Sequence, residues 1–293
     1  MSVGLWLTQS GRSIIIASCP AGKEWWKRLG RALPVLVVAA LIGVGCAPSS
    51  RGGKSMRRRP IIIAHRGLSG LFPENTLLAF REALKFEVDG IETDARRTRD
   101  GAIVCLHDET LDRTTNMRGK LSEFSLEEVR RADAGRGERI PTLWEALTAL
   151  GGRAILCIEI KEPGIEAQVV GIIRRHPTMR HKCIIGSFHP EAIRRAKELA
   201  PEIPTQLIMS AHRPLEGREA LEAILKAIKA GANSLSIHFS GISADLLREA
   251  HLRGLSVWTW TVNDPERMRE LAEMGVDGIA TDRADLAASA LGR

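Results

Sequence analysis

From Pro60 onward, short runs rich in apolar residues alternate with longer amphipathic segments about eight times over, and the first of these runs, at 61–64, has no polar break. Such runs suit strands buried on both faces, and those strands need helices to cover them. Strands are expected at residues 60–65, in the stretch carrying Glu92 and Asp94, and at 102–106, 154–160, 183–188, 205–209, 234–238, 255–261 and 278–281. Helices are expected after the turn at 73–76 and at 142–150, 165–175, 189–199, about 215–230, 244–253, 265–274 and 285–291. This alternation predicts a closed (β/α)8 TIM barrel. An open doubly wound sheet is the alternative, but it wants Gly-x-Gly-x-x-Gly after its first strand, and none follows residues 60–65.

The polar residues cluster where the strands end. His65-Arg66-Gly67 stops the first strand, His107-Asp108 follows the run at 102–106, and Glu159-Ile160-Lys161 closes the run at 154–160. The carboxyl ends of buried parallel strands are where α/β enzymes place their chemistry. Glu92 and Asp94 are two apart on one strand and therefore share a face, a pairing that calls for a cation or a shared proton. With Glu159 they make three hard oxygen donors and no cysteine ligand, which suits a divalent cation such as Mg²⁺ or Ca²⁺. A single strand carboxylate is usually a salt-bridge partner and a single histidine usually structural. Three carboxylates and two histidines gathered at strand ends are a different case. In Pro73-Glu74-Asn75-Thr76, Glu74 and Asn75 read as turn and cap residues, with Asn75 or Thr76 capping the helix that follows.

These segments occur in an order and spacing that resemble the glycerophosphodiester phosphodiesterases. HRG stands at His65, PENTLLAF starts at Pro73, GIETDARRTRDGAIVCLHD at Gly90, IPTLWEAL at Ile140, IEIK at Ile158, GSF at Gly186 and WTVND at Trp260. The resemblance spans roughly Pro60 to the C-terminus. It implies metal-dependent hydrolysis of a small glycerophosphodiester to sn-glycerol 3-phosphate and an alcohol. His65 and His107 would be the catalytic acid and base, in an order the sequence leaves open, and Glu92, Asp94 and Glu159 the metal ligands. It further implies attack by the substrate's own glycerol hydroxyl before water completes hydrolysis. Arg66 and Lys161 would neutralise phosphate charge, although Lys161 could equally serve only to balance Glu159. Trp260 would pack on the glycerol or belong to the core, and Phe188 and Phe239 are weaker candidates for the same wall. Two other functions stay open: a related barrel phospholipase acting on lysophospholipids, and a surface binding protein that has kept the barrel without turnover.

Charge and cysteines narrow the partners. The chain of 293 residues carries a net charge of +7. Residues 1–59 hold ten Lys or Arg and one Glu, which leaves 32 basic and 34 acidic residues for the remainder. The positive balance therefore belongs to the leader. The body has no basic patch interleaved with aromatics, so nucleic acid is not an expected partner. Cys105, Cys157 and Cys183 sit in apolar runs and are expected to be buried small hydrophobes.

Residues 1–55 read as a leader and linker, and residues 56–293 as the barrel domain. Lys23, Lys27, Arg28 and Arg31 precede an apolar run at 33–44, which is short for a membrane span. Gly45-Cys46 and a polar stretch follow, and this resembles a bacterial lipoprotein signal, with Cys46 as the lipidated anchor of an envelope protein. Gly43 and the positive charges at Arg51, Lys54 and 57–59 depart from that pattern. The competing expectation is a cytoplasmic enzyme whose translation starts at Met56. Between the second strand region and the helix at 142–150, residues 108–140 form a small insertion, too long for a simple loop and too short for a core of its own. The resemblance puts it over the barrel mouth, and Ser125-Leu126-Glu127-Glu128 reads as a helix start within it.

Overall fold

A computed structural model describes residues 59–293. The leader, including Cys46 and the Met56 start, lies outside the described residues. The elements follow in the order β1 (Ile61–Ala64), α1 (Leu77–Ala83), β2 (Gly90–Arg97), β3 (Ile103–Cys105), α2 (Leu126–Val129), α3 (Leu143–Leu150), β4 (Ile155–Ile160), α4 (Glu166–Arg175), β5 (Cys183–Ser187) and α5 (Pro190–Leu199). They continue through β6 (Thr205–Met209), α6 (Gly217–Lys229), β7 (Ser234–His238), α7 (Ala244–Leu252), β8 (Ser256–Trp260), α8 (Pro265–Met274), β9 (Gly278–Thr281) and α9 (Ala284–Ala290). Eight strands, β1, β2 and β4 to β9, pair in parallel in chain order, and β1 pairs with both β2 and β9, which closes the ring. The expected TIM barrel is the fold observed.

Alternation along each strand divides the core in two. Side chains such as Ile62, Ile91, Leu156, Leu207, Leu235 and Val257 are buried against the helices. Ile63, Cys157 and Trp258 instead form the core inside the barrel. Trp258 fits there because its neighbour in register is Gly278. A Cβ on Gly278 would lie 2.7 Å from the indole, inside any ordinary contact. Gly90 makes the same allowance for Ile63, where an added Cβ would lie 2.8 Å from Ile63 Cδ1. Burial pushes the thiols of Cys105 and Cys183 up to about 12 and raises that of Cys157 as well, as suits buried apolar cysteines.

Local signals fix the helix starts. Thr142 and Glu145 form a reciprocal capping box at α3, and Ser125 and Glu128 form one at α2. Asp264 caps α8, with Pro265 in its first turn. At α1 the cap is Thr76, whose hydroxyl accepts from Ala79 N. Asn75 stands one residue earlier at φ 58°, in the left-handed region that asparagine tolerates better than most side chains.

The run at 102–106 differs from expectation. β3 is a ninth strand, antiparallel to β2, and takes no part in the ring. β2 is long enough to run past the rim, and β3 returns alongside it with Arg97 opposite Ile103 and Ala95 opposite Cys105. The insertion that follows does bury an apolar set of its own: Val104 and Leu106 from the β3 arm pack with Leu111, Leu121, Val129 and Ile140. Borrowing side chains from β3 lets so short a segment assemble a satellite core.

The crowding at Gly278 generates a prediction. Gly278→Ala should lower unfolding free energy by about 1–3 kcal/mol through overpacking, measured by urea denaturation. The loss should shrink in a Trp258→Leu background, because the two substitutions act on one contact.

Candidate active site

The polar strand ends converge on one pocket at the carboxyl ends of the strands. His65, Arg66, Glu92, His107, Glu159, Lys161, Phe188 and Trp260 all line it. Asp94 lies just beneath, fully buried. One oxygen from each of Glu92, Asp94 and Glu159 can be chosen so that the three lie within 4.8 Å of one another. The register accounts for this. Asp94 and Glu159 are direct partners across β2 and β4, and Glu92 sits two residues before Asp94 on the same face.

His65 follows β1, its Nδ1 2.7 Å from Asp282 Oδ1 and its Nε2 3.8 Å from Glu92 Oε2. Asp282 is itself held by Ser69 Oγ at 2.9 Å and by Asn263 Nδ2 at 2.7 Å, both donating to it. His107 arrives differently from the expected strand end. The descending β3 arm delivers it to the level of Asp94, where Leu106 N donates to the Asp94 carbonyl at 3.0 Å. Its carbonyl accepts from Arg96 Nε at 2.9 Å, and its Nδ1 lies 2.6 Å from Asp108 Oδ1. Each imidazole is thus fastened through Nδ1 to a carboxylate, which leaves Nε2 as its remaining proton site.

Three carboxylates in one buried space create an electrostatic problem. Burial and the charge of Asp94 push Glu92 up to about 8 and raise Glu159 above its ordinary value as well. Burial would raise Asp94 too, but Lys161, Arg66 and His107 hold it below its ordinary value, helped by the hydrogen bond from Asn75. Lys161 Nζ lies 2.6 Å from Glu159 Oε1 and 3.5 Å from Asp94 Oδ1. Arg66 Nε lies 3.3 Å from Asp94 Oδ2, and its backbone N–H donates to Glu92 Oε2 at 3.0 Å. Asp94 Oδ1 is nevertheless buried without a hydrogen bond. For His65, burial alone would lower the pKa, but Asp282 and Glu92 raise it above its usual value. For His107, burial dominates and lowers it despite Asp94 and Asp108.

Trp260 forms the aromatic wall. It meets Phe188 edge-on at 5.6 Å and His238 edge-on at 5.4 Å, and its Nε1 has no hydrogen-bond partner among the described residues. Phe239 does not share that wall; it packs against the His238 ring at 4.3 Å.

Several residues outside the expected strand-end set also shape the site. Asn75 donates from Nδ2 to Asp94 Oδ2 at 2.8 Å, while its Oδ1 accepts from the Thr93 hydroxyl at 2.7 Å. Glu74 accepts from Arg66 Nη1 at 3.0 Å and from Arg113 Nη1 at 2.7 Å. Arg113 also donates to Asp108 at 2.7 Å, so an insertion residue ties the β1–α1 turn to the carboxylate behind His107. Asp282 immediately follows β9, and the strand-end rule that singles out His65 applies to it equally. Arg113 sits in a polar stretch with no comparable signal.

The double role of Asn75 is open to test. Asn75→Ala leaves the buried Thr93 hydroxyl without its acceptor, removes the amide hydrogen bond to Asp94 Oδ2 and puts alanine at a positive φ. It should cost about 2–4 kcal/mol of unfolding free energy, read from urea titration. Glu74→Gln, nearer the surface, should cost less.

Comparison with known proteins agrees with this geometry. The model of the glycerophosphoryl diester phosphodiesterase family matches residues 65–286. A glycerophosphodiester phosphodiesterase of Caldanaerobacter subterraneus subsp. tengcongensis is 37% identical over 237 residues, covering 76% of this chain and 94% of its own length. One from Bacillus subtilis is 31% identical over 262 residues, with 81% and 88% covered. Among solved structures, a phosphodiesterase of Oleispira antarctica in complex with the product sn-glycerol-3-phosphate superimposes with a TM-score of 0.71 at 27% identity, covering 80% of this chain and 98% of its own. The glycerophosphodiester phosphodiesterase of Agrobacterium tumefaciens gives 0.68 at 30% identity, covering 78% and 99%. With its pocket built at the mouth of this barrel and the family match running through nearly all of it, the chain belongs to the glycerophosphoryl diester phosphodiesterase family and is an enzyme of it.

Proposed function

We propose that the enzyme hydrolyses glycerophosphodiesters to sn-glycerol 3-phosphate and an alcohol, with Glu92, Asp94 and Glu159 holding a divalent cation and His65 and His107 acting as the acid–base pair. The observation that carries this reading is the pairing of His65 with Asp282 and of His107 with Asp108, both imidazoles lining one pocket with the carboxylate group.

The carboxylate set fits a hard cation. The three oxygens are close enough to converge, Asp94 Oδ1 is buried with no hydrogen bond, and Glu92 and Glu159 are destabilised as anions by burial and then by Asp94. When bound, the cation would neutralise phosphate charge.

The chain's own groups account for the rest. A phosphodiester anion in the pocket meets Arg66 and Lys161, each already oriented by a carboxylate. The substrate's own glycerol hydroxyl bonds to phosphorus as it gives its proton to one Nε2, the alcohol leaves as its P–O bond breaks and takes a proton from the other, and water then opens the cyclic phosphate to sn-glycerol 3-phosphate by the reverse proton transfers. Asp282 and Asp108 hold both rings so that Nε2, not Nδ1, is presented. Trp260 and Phe188 wall the pocket on its apolar side and exclude water from the bound glycerol.

The leader supports a further proposal, that Cys46 is lipidated and anchors the enzyme in the cell envelope. The basic segment, the short apolar run and the small residue before Cys46 are its support. Mass analysis of the native N-terminus should find a lipidated Cys46; a chain beginning at Met56 would exclude the anchor.

Turnover of glycerophosphocholine by the purified enzyme tests the main reading. EDTA should abolish it, and Mg²⁺ or Ca²⁺ should restore it; release that resists EDTA would remove the metal from the mechanism. His65→Ala and His107→Ala should each lower kcat by about 10²–10⁴-fold with little change in unfolding midpoint, because Asp282 keeps Ser69 and Asn263, and Asp108 keeps Arg113. Wild-type rates in either variant would remove that histidine from catalysis.

A further inference from the structure

One buried polar group in the barrel has no role in the chemistry described so far. Gln206 lies on β6, is only 6% exposed, and lines the same pocket. Its carboxamide Nε2 is buried without a hydrogen-bond partner among the described residues. A buried amide with nothing to bond costs stability that an apolar residue of the same size would not. The inward position therefore calls for a partner from outside the protein.

The register shows where that partner would sit. Asp94, Glu159, Gly186 and Gln206 are successive partners across β2, β4, β5 and β6. Gly186 places no side chain between Glu159 and Gln206. A Cβ there would press on Ile208 Cδ1 at 3.2 Å, so the position favours glycine and the gap stays open. Two strand spacings separate Glu159 from Gln206, roughly 10 Å between backbones, and the two side chains reach into that space from opposite ends. In the ring of eight, β6 is four strands from β1 in either direction, so Gln206 faces the strand of His65 across the barrel.

We propose that Gln206 is a positioning residue for the glycerol moiety, its carboxamide hydrogen-bonding one glycerol hydroxyl from the wall opposite His65. The inference rests on the glycerophosphodiesterase reading above and extends it to specificity. An uncharged amide that can both donate and accept suits a neutral hydroxyl and offers nothing to the phosphate. Such a contact discriminates against a substrate lacking that hydroxyl, because the amide is then left unpaired again.

The test is calorimetric binding to the full-length enzyme of sn-glycerol 3-phosphate, of propane-1,2-diol 1-phosphate and of propane-1,3-diol phosphate. The second ligand lacks the terminal hydroxyl and the third the central one. Wild type should bind one of the two diol phosphates roughly tenfold more weakly than sn-glycerol 3-phosphate, the scale of one neutral hydrogen bond. Gln206→Leu should bind sn-glycerol 3-phosphate weaker by the same factor and no longer distinguish it from that diol phosphate. Gln206→Met, which keeps the side-chain length, should behave likewise. The unfolding midpoint of both variants should equal or exceed that of wild type, since an unpaired buried amide has been removed. Unchanged affinity in both variants, or an equal loss for all three ligands, would overturn the assignment of Gln206 alone. Wild-type enzyme that neither binds sn-glycerol 3-phosphate nor turns over glycerophosphocholine would overturn the underlying reading and this one with it.

Discussion

Negative charge packed into a buried space governs the architecture of the barrel mouth. Asp94 has no exposure to solvent and has Glu159 beside it in register and Glu92 two residues away on its own strand. Isolated carboxylates in that position would take up protons. The surrounding elements answer that tendency: Lys161 from the end of β4, Arg66 from the β1–α1 turn, and an amide from Asn75 all reach Asp94. The left-handed backbone at Asn75, the capping of α1 by Thr76 and the fork of Arg66 toward Glu74 can be understood as parts of one arrangement that keeps Asp94 ionised.

Much of this was legible in the sequence because buried parallel strands have a simple grammar. Short runs rich in apolar residues mark the strands, and the polar residues at their ends point to the mouth; β6, β7, α8 and β9 fall at their expected bounds. The same grammar misread residues 102–106. An antiparallel strand that leans on an overhanging neighbour is as apolar as a ring strand, and only the pairing distinguishes them. Asp282 was legible but overlooked, since a carboxylate directly after β9 obeys the rule that found His65. The contacts of Asn75 and Arg113 were not legible. They link residues 19 and 39 positions apart through side chains whose local context signals only a turn and a polar loop.

Rigidity of the two imidazoles comes from different sources. His65 stands on the barrel itself, and its partner Asp282 is fixed by two donors from neighbouring loops. His107 stands on an arm that gives Val104 and Leu106 to the satellite core and Ile103 and Cys105 to the main core, and its partner Asp108 is fixed by Arg113 from the insertion. One side of the proposed acid–base pair is thus positioned by the barrel alone and the other by the barrel and the insertion together.

That division bears on how such a barrel can diversify. A surface insertion is an ordinary place for a barrel to vary, yet here the segment also carries the Arg113 clasp between Glu74 and Asp108. Exchanging the whole segment for another would therefore disturb the aim of one imidazole, because the same guanidinium that fastens the segment to the β1–α1 turn also holds the carboxylate behind His107.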